Sequence, residues 1–204
     1  MGCFLSLFSS AFIITPPSSN SSGEISYTSS NESVATIAGS TITIVAVGST
    51  TITAAQSGNS NYYAATSVTQ VVTVNKANQT IAAIMSSVTK TYGDANFSVA
   101  TTATSGLTVT YSSDNSEVAT VASNGTVTIV GVGTTTITAA QAGSDNYNAA
   151  SSVTQVVTVG KLDQTITFNS LINRTSVDGT FTLILNASSG LPITYTSSNT
   201  AIVS

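Results

Sequence analysis

The chain has 204 residues, 41% hydrophobic and only 6% charged, with a formal net charge of −4, one Cys and neither His nor Trp. The four cations, Lys76, Lys90, Lys161 and Arg174, cannot neutralise a row of phosphates, which excludes nucleic acid as a partner. Without His and with Cys3 alone, no Ser/His/Asp or Cys/His nucleophile system, intrachain disulfide or thiolate metal cage can be assembled.

Residues 1–15 are apolar and open to three readings. They could be a signal peptide, although no basic n-region precedes them and no Ala-x-Ala site follows. Met1-Gly2 with Ser6 also fits an N-myristoylation pattern, with Cys3 placed for palmitoylation. The third reading aligns Phe12 with Phe97 and Phe181, which makes residues 12–14 a strand of a unit that begins partway through. No run reaches the roughly 18 apolar residues that a membrane-spanning helix needs.

Pro16-Pro17 and the Ser/Asn-rich residues after them read as a loop. From Ile25 onward, apolar and β-branched residues alternate with polar ones, the signature of strands with one buried face. Such runs occur at 25–28, 34–37, 41–44, 50–54 and 67–74, with a polar loop at 56–66. The next stretch predicts seven strands: 79–84, 97–100, 107–112, 118–121, 126–129, 134–140 and 152–159. Asn124-Gly125 marks a hairpin turn in which both residues tolerate positive φ.

Internal repetition organises the whole chain. Lys76-Ala77-Asn78-Gln79-Thr80-Ile81 returns 85 residues on as Lys161-Leu162-Asp163-Gln164-Thr165-Ile166. The sequences of 50–56 and 67–74 recur verbatim at 135–141 and 152–159. The period holds about the sequence that one small β-sandwich needs. The predicted organisation is a divergent segment at 1–11, a first unit at 12–75 lacking its opening strand, a complete second unit at 76–160, and a C-terminally truncated third unit at 161–204.

Three stretches resemble tandem bacterial Ig-like repeats of group 2, as in invasin- and intimin-like surface proteins: residues 190–199, 118–121 and 130–139. Residues 90–95, Lys-Thr-Tyr-Gly-Asp-Ala, also look like MBG-type bacterial repeats. The resemblance implies an all-β array of immunoglobulin-like sandwiches and carries no catalytic residue. It also implies an extracellular or cell-surface place, or a virion surface, as a spacer or adhesive module. Expected partners are neighbouring repeats in the chain and a host-surface protein or glycan.

Eight acids fall mostly in turns, where solvated carboxylates are the usual outcome, and no cofactor is expected. Calcium is the alternative reading, with Asp94, Asp114 and Glu117 as candidate oxygen ligands that could stiffen an array. Tyr62 and Tyr63, with Asp145 and Tyr147, sit in the longest loops and are candidate binding residues. For Tyr62 and Tyr147 the competing reading is a ring that caps the core. Tyr27, Tyr111 and Tyr195 alternate in phase with apolar residues and are expected in the core. Lys76 and Lys161 mark the handover between units, and a Lys–Asn isopeptide would need a recurring buried acid that the sequence lacks.

Overall fold

The computed structural model describes residues 10–175 and 177–200, and among these every regular element is a strand. In the first unit these are β1 (Ala11–Ile13), β2 (Ile25–Ser29), β3 (Ala35–Ala38), β4 (Thr41–Ile44), β5 (Gly48–Gln56) and β6 (Val68–Val74). The second unit holds β7 (Ser87–Thr91), β8 (Phe97–Ser98), β9 (Thr110–Ser113), β10 (Ala119–Val121), β11 (Thr126–Ile129), β12 (Gly133–Ala140) and β13 (Val153–Gly160). Beyond them lie β14 (Ile166–Thr167) and β15 (Asn186–Ala187).

The second unit is a sandwich of a β10-β11-β8 sheet and a β7-β13-β12-β9 sheet. The first unit repeats this with β1-β4-β3 and β2-β5-β6. The registers agree: Phe12 faces Ile42 as Phe97 faces Val127, and Thr51 faces Val71 as Thr136 faces Val156. The strand predicted over 12–14 is thus present at Ala11–Ile13. The lipidation reading, and residues 1–9 of the signal-peptide reading over 1–15, lie outside the described residues.

The core follows from alternation. On β12 and β13, Thr135, Ile137, Ala139, Gln155, Val157 and Val159 point inward and are buried. Of these, Ile137, Val157 and Val159 pack with Val99, Val118, Ala119 and Val127, on or beside the strands of the other sheet. The first unit builds a smaller core on Ala35, Ile42 and Ile52. Its β6 stays largely exposed, whereas every second residue from Gln155 to Val159 on β13 is buried. The difference is β7, which covers β13 as a parallel neighbour, Val157 facing Val88.

Three sequence expectations are corrected. The opening strand of the second unit lies at Ser87–Thr91 and not at 79–84. Residues 77–82 instead make isolated bridges at Ala77 and Ile81, because their hydrogen bonds divide between two different partners, the 141–150 loop and the 102–104 segment. At the 122–126 hairpin only Gly125 has positive φ (80°), so Asn124 does not share the left-handed region. Gly125 N–H closes a turn on the Ala122 carbonyl (2.9 Å) and the Asn124 side chain accepts the Thr126 N–H (3.0 Å). This is a three-residue loop ending in a left-handed glycine. Tyr195, unlike Tyr27 and Tyr111, is exposed. Among the described residues of 161–200 the only sheet is the two-stranded β14-β15, too small to cover a ring.

Candidate binding loops and their buried polar supports

The 141–150 loop is held from below by amides. Gln79 Nε2 donates to Gln141 Oε1 (2.6 Å) and to the Asn148 carbonyl (2.7 Å), while Ser105 donates to Gln79 Oε1. Gln141 Oε1 also accepts the Gly143 N–H. Both glutamines are buried, so each polar atom needs such a partner. In the first unit Gln56 takes the place of Gln141 and bonds Ser19 and the Gly23 carbonyl. In the third stretch Ser189 bonds Gln164 as Ser105 bonds Gln79. The sequence reading used these glutamines only as marks of the period. Their recurrence, Gln56 as Gln141 and Gln79 as Gln164, is the one sequence signal that marks them, and it does not say that they are buried.

Above this support the two loops share one fold. Ser144 N–H donates to the Tyr147 carbonyl (3.0 Å), and Asn59 N–H to the Tyr62 carbonyl (2.8 Å). The chain passes so close that a Cβ on Gly143 would lie 2.6 Å from Tyr147 O, and one on Gly58 2.7 Å from Tyr62 O. Gly143 is also at φ 87°. Glycine is therefore required on steric grounds.

The candidate tyrosines separate. Tyr147 is half-buried, its backbone bridged to Ala77. Tyr62 is partly exposed, and Tyr63 is fully exposed at 101%. Asp145 is exposed on the same loop as Tyr147. Lys76 Nζ donates to the Ser144 carbonyl (2.8 Å), which ties the start of the 76–84 stretch to the loop base.

The acids are engaged separately. Asp94 accepts the Thr91 N–H (2.9 Å) in a tight turn that Asp178 repeats with Thr175 (2.7 Å). Asp114 Oδ1 accepts Thr136 N–H and Thr135 Oγ1, both at 2.7 Å. These bonds, the Thr136 backbone first and the Thr135 hydroxyl second, hold its carboxyl below the ordinary value of 3.8. Glu117 is exposed, and its N–H is taken by Asn115 Oδ1 (3.1 Å). Among the described residues no three His, Cys, Asp or Glu side chains gather to hold a metal ion. No helix there is long and apolar enough to cross a membrane.

Residues 84–150 match the family model of the bacterial Ig-like domain (group 2), meeting the resemblance read from the sequence. No curated protein sequence matches the chain. Among solved structures, domains 1–6 of the surface layer protein SbsC are 24% identical over 71% of this chain and 21% of that one, with a TM-score of 0.34. Domains 4 and 5 of the S-layer protein SbsC are 26% identical over 67% of this chain and 70% of that one, TM-score 0.33. A 282-residue C-terminal fragment of intimin, solved in complex with the intimin-binding domain of its translocated receptor, is 22% identical over 78% of this chain and 59% of that one, TM-score 0.27. The chain spans about a fifth of the six-domain S-layer fragment.

Proposed function

We propose, from the group-2 bacterial Ig-like match of residues 84–150, that the chain is a non-catalytic part of an extracellular repeat array, a stalk or spacer of a cell-surface or phage structural protein. The observation that carries this reading is serial recurrence. Two stretches 85 residues apart build matching sheets in matching register, with the same buried Gln and Thr supports. Units of this kind stack along a chain and hold whatever they carry away from its base. The acids that could do chemistry are instead spent on turns and backbone N–H groups.

Force spectroscopy on the full chain tests the reading. A spacer unit should resist and then release as one event, its contour increment near the roughly 30 nm that 85 extended residues span. Gradual extension without a discrete event for residues 76–160 would refute it.

The second reading is a carbohydrate- or receptor-binding module, standing alone or appended to a secreted enzyme. Its support is the ring of Tyr63, fully exposed on a loop whose base is fixed. A glycan and extracellular-matrix array screened with the full chain and with Tyr63→Ala decides between them. Binding lost in the variant favours the module, and silence leaves the spacer.

A further inference from the structure

The central strand pair of each unit is one sequence used twice. Residues 50–56 on β5 recur verbatim as 135–141 on and just after β12, and 67–74 on β6 recur as 152–159 on β13. The pairing repeats with the sequence: Thr50 faces Val72 as Thr135 faces Val157, and Ile52 faces Gln70 as Ile137 faces Gln155. Along the whole register one pair differs, Ser49 with Thr73 standing where the second unit has Thr134 with Thr158. The loops that lead into β6 and β13, residues 57–66 and 142–151, are equal in length.

Strands choose their partners through cross-strand pairs and through which face each residue presents. Here both are the same in the two units, so β12 fits β6 as it fits β13, and β5 fits either in turn. The outer neighbour does not discriminate. β7 lies beside β13 with Val88 facing Val157, and Val72 would bring the same side chain to that place.

Within one chain the exchange is closed off by length. In the place of β13, Val74 would lie beside Gly133, at one end of β12, while Ala77 is held at Asn146, beyond the other end. β12 runs Gly133–Ala140, roughly 23 Å of strand. The three steps from Val74 to Ala77 reach about 11 Å at full extension. Only a second copy can make the exchange.

We propose that two copies of this chain join by trading these strands. β6 of one copy completes the second unit of its neighbour beside β12, and the neighbour's β13 completes the first copy's first unit beside β5. Each cross-strand pair is kept, so the opposing terms are the association itself and the opening of the 57–66 and 142–151 loops. A folded unit holds its own strand, so the trade takes place as copies fold side by side. The two units left intact can trade with further copies, which makes the assembly head-to-tail and open-ended. The inference does not depend on the spacer reading.

Thr51 and Val156 give a direct test. In a folded copy Thr51 faces Val71 and Val156 faces Thr136, whereas after the trade Thr51 of one copy faces Val156 of the other. Thr51 N–H and C=O are both taken by Ser30, at 2.9 and 3.0 Å, so its pair across to β6 is a non-hydrogen-bonded one. The Cα separation of such a pair, about 4.5 Å, suits a disulfide. The full chain carrying Cys3→Ser, Thr51→Cys and Val156→Cys is unfolded in urea, refolded at low and high concentration, and oxidised. A companion with Cys3→Ser, Thr51→Cys and Val71→Cys reports the ordinary pair. The expected result is an interchain disulfide between positions 51 and 156, found by peptide mapping. It should be at least tenfold more abundant after refolding at high concentration than in protein oxidised without unfolding. The proposal is overturned if the companion closes its bond and the 51–156 bond does not form, or if that bond forms equally without unfolding. The unsubstituted chain refolded at high concentration should sediment as oligomers, and a wholly monomeric product overturns the proposal whatever the thiols do.

Discussion

The hydroxyl of Tyr111 accepts the N–H of Thr101 at 2.9 Å and lies 3.3 Å from the Thr101 carbonyl. Its counterpart Tyr27 has a buried hydroxyl with no partner among the described residues. The register position of Thr101 is held in the first unit by Pro16, which has no N–H to give. Tyr111→Phe is therefore expected to cost about 1 kcal/mol, and Tyr27→Phe to be neutral or slightly stabilising. Urea unfolding of the two variants checks the difference in sign. Equal losses would mean that Tyr27 finds a partner in solution.

The Gln79–Gln141 pair is fully enclosed, and breaking it strands several groups at once. Gln79→Ala removes the donor to Gln141 and to the Asn148 carbonyl and the acceptor for Ser105. A loss of about 3 kcal/mol is expected, since each unsatisfied buried group costs roughly 1–3 kcal/mol. Amide exchange should rise first in the 141–150 loop. Unchanged protection there would show that the loop does not rest on Gln79.

Asp114 and Ser30 do the same work in successive units. Asp114 accepts Thr136 N–H, and Ser30 Oγ accepts Thr51 N–H at 2.9 Å. Because the Asp114 pKa is lowered in the folded state, its contribution is present above its ordinary value of 3.8 and fades as pH falls through the lowered value. Asp114→Ser should keep the bonding and remove this acid sensitivity, while Asp114→Ala should lose stability at neutral pH. Thermal unfolding from pH 7 down to about pH 2 separates the two.

Glycine at 143 and at 106 should behave differently. A Cβ on Gly106 (φ 74°) meets nothing within 4 Å, so Gly106→Ala pays only for the backbone conformation, about 1 kcal/mol. At Gly143 the new carbon would also press on Tyr147 O at 2.6 Å, so Gly143→Ala is expected to lose distinctly more. Equal midpoints would show that the loop relaxes around the methyl group.

A chelator should leave the unfolding midpoint unchanged. Asp94 and Asp114 are spent on N–H groups, and Glu117 stands exposed. A calcium-dependent rise in Tm would instead identify a carboxylate site.

Much of the fold was legible in the sequence because strand alternation is local. The in-phase positions Val109, Thr135, Ile137, Ala139, Val157 and Val159 could be picked out by a period of two, and they are buried. The repeat aligned Phe12 with Phe97 and so offered residues 12–14 as a strand, present as β1, while its pairing with β4 came only from the structure. Of the candidate binding residues, the sequence placed Tyr62, Tyr63, Asp145 and Tyr147 on matching loops. Standing where the second copy has Asn148, Tyr63 also read as the likelier exposed ring, and it is exposed; the tie between Tyr147 and Ala77 was not legible.

What the sequence determined by itself was therefore face, period and turn position, all properties of neighbouring residues. The tertiary structure alone decided where residues 76–91 run, since their hydrogen bonds go to Asn146, Asn148, Thr102 and β13, far along the chain. It alone decided that Gln79 and Gln141 belong inside. A polar side chain is buried only where donors and acceptors from other strands converge on it, and no local pattern records that convergence.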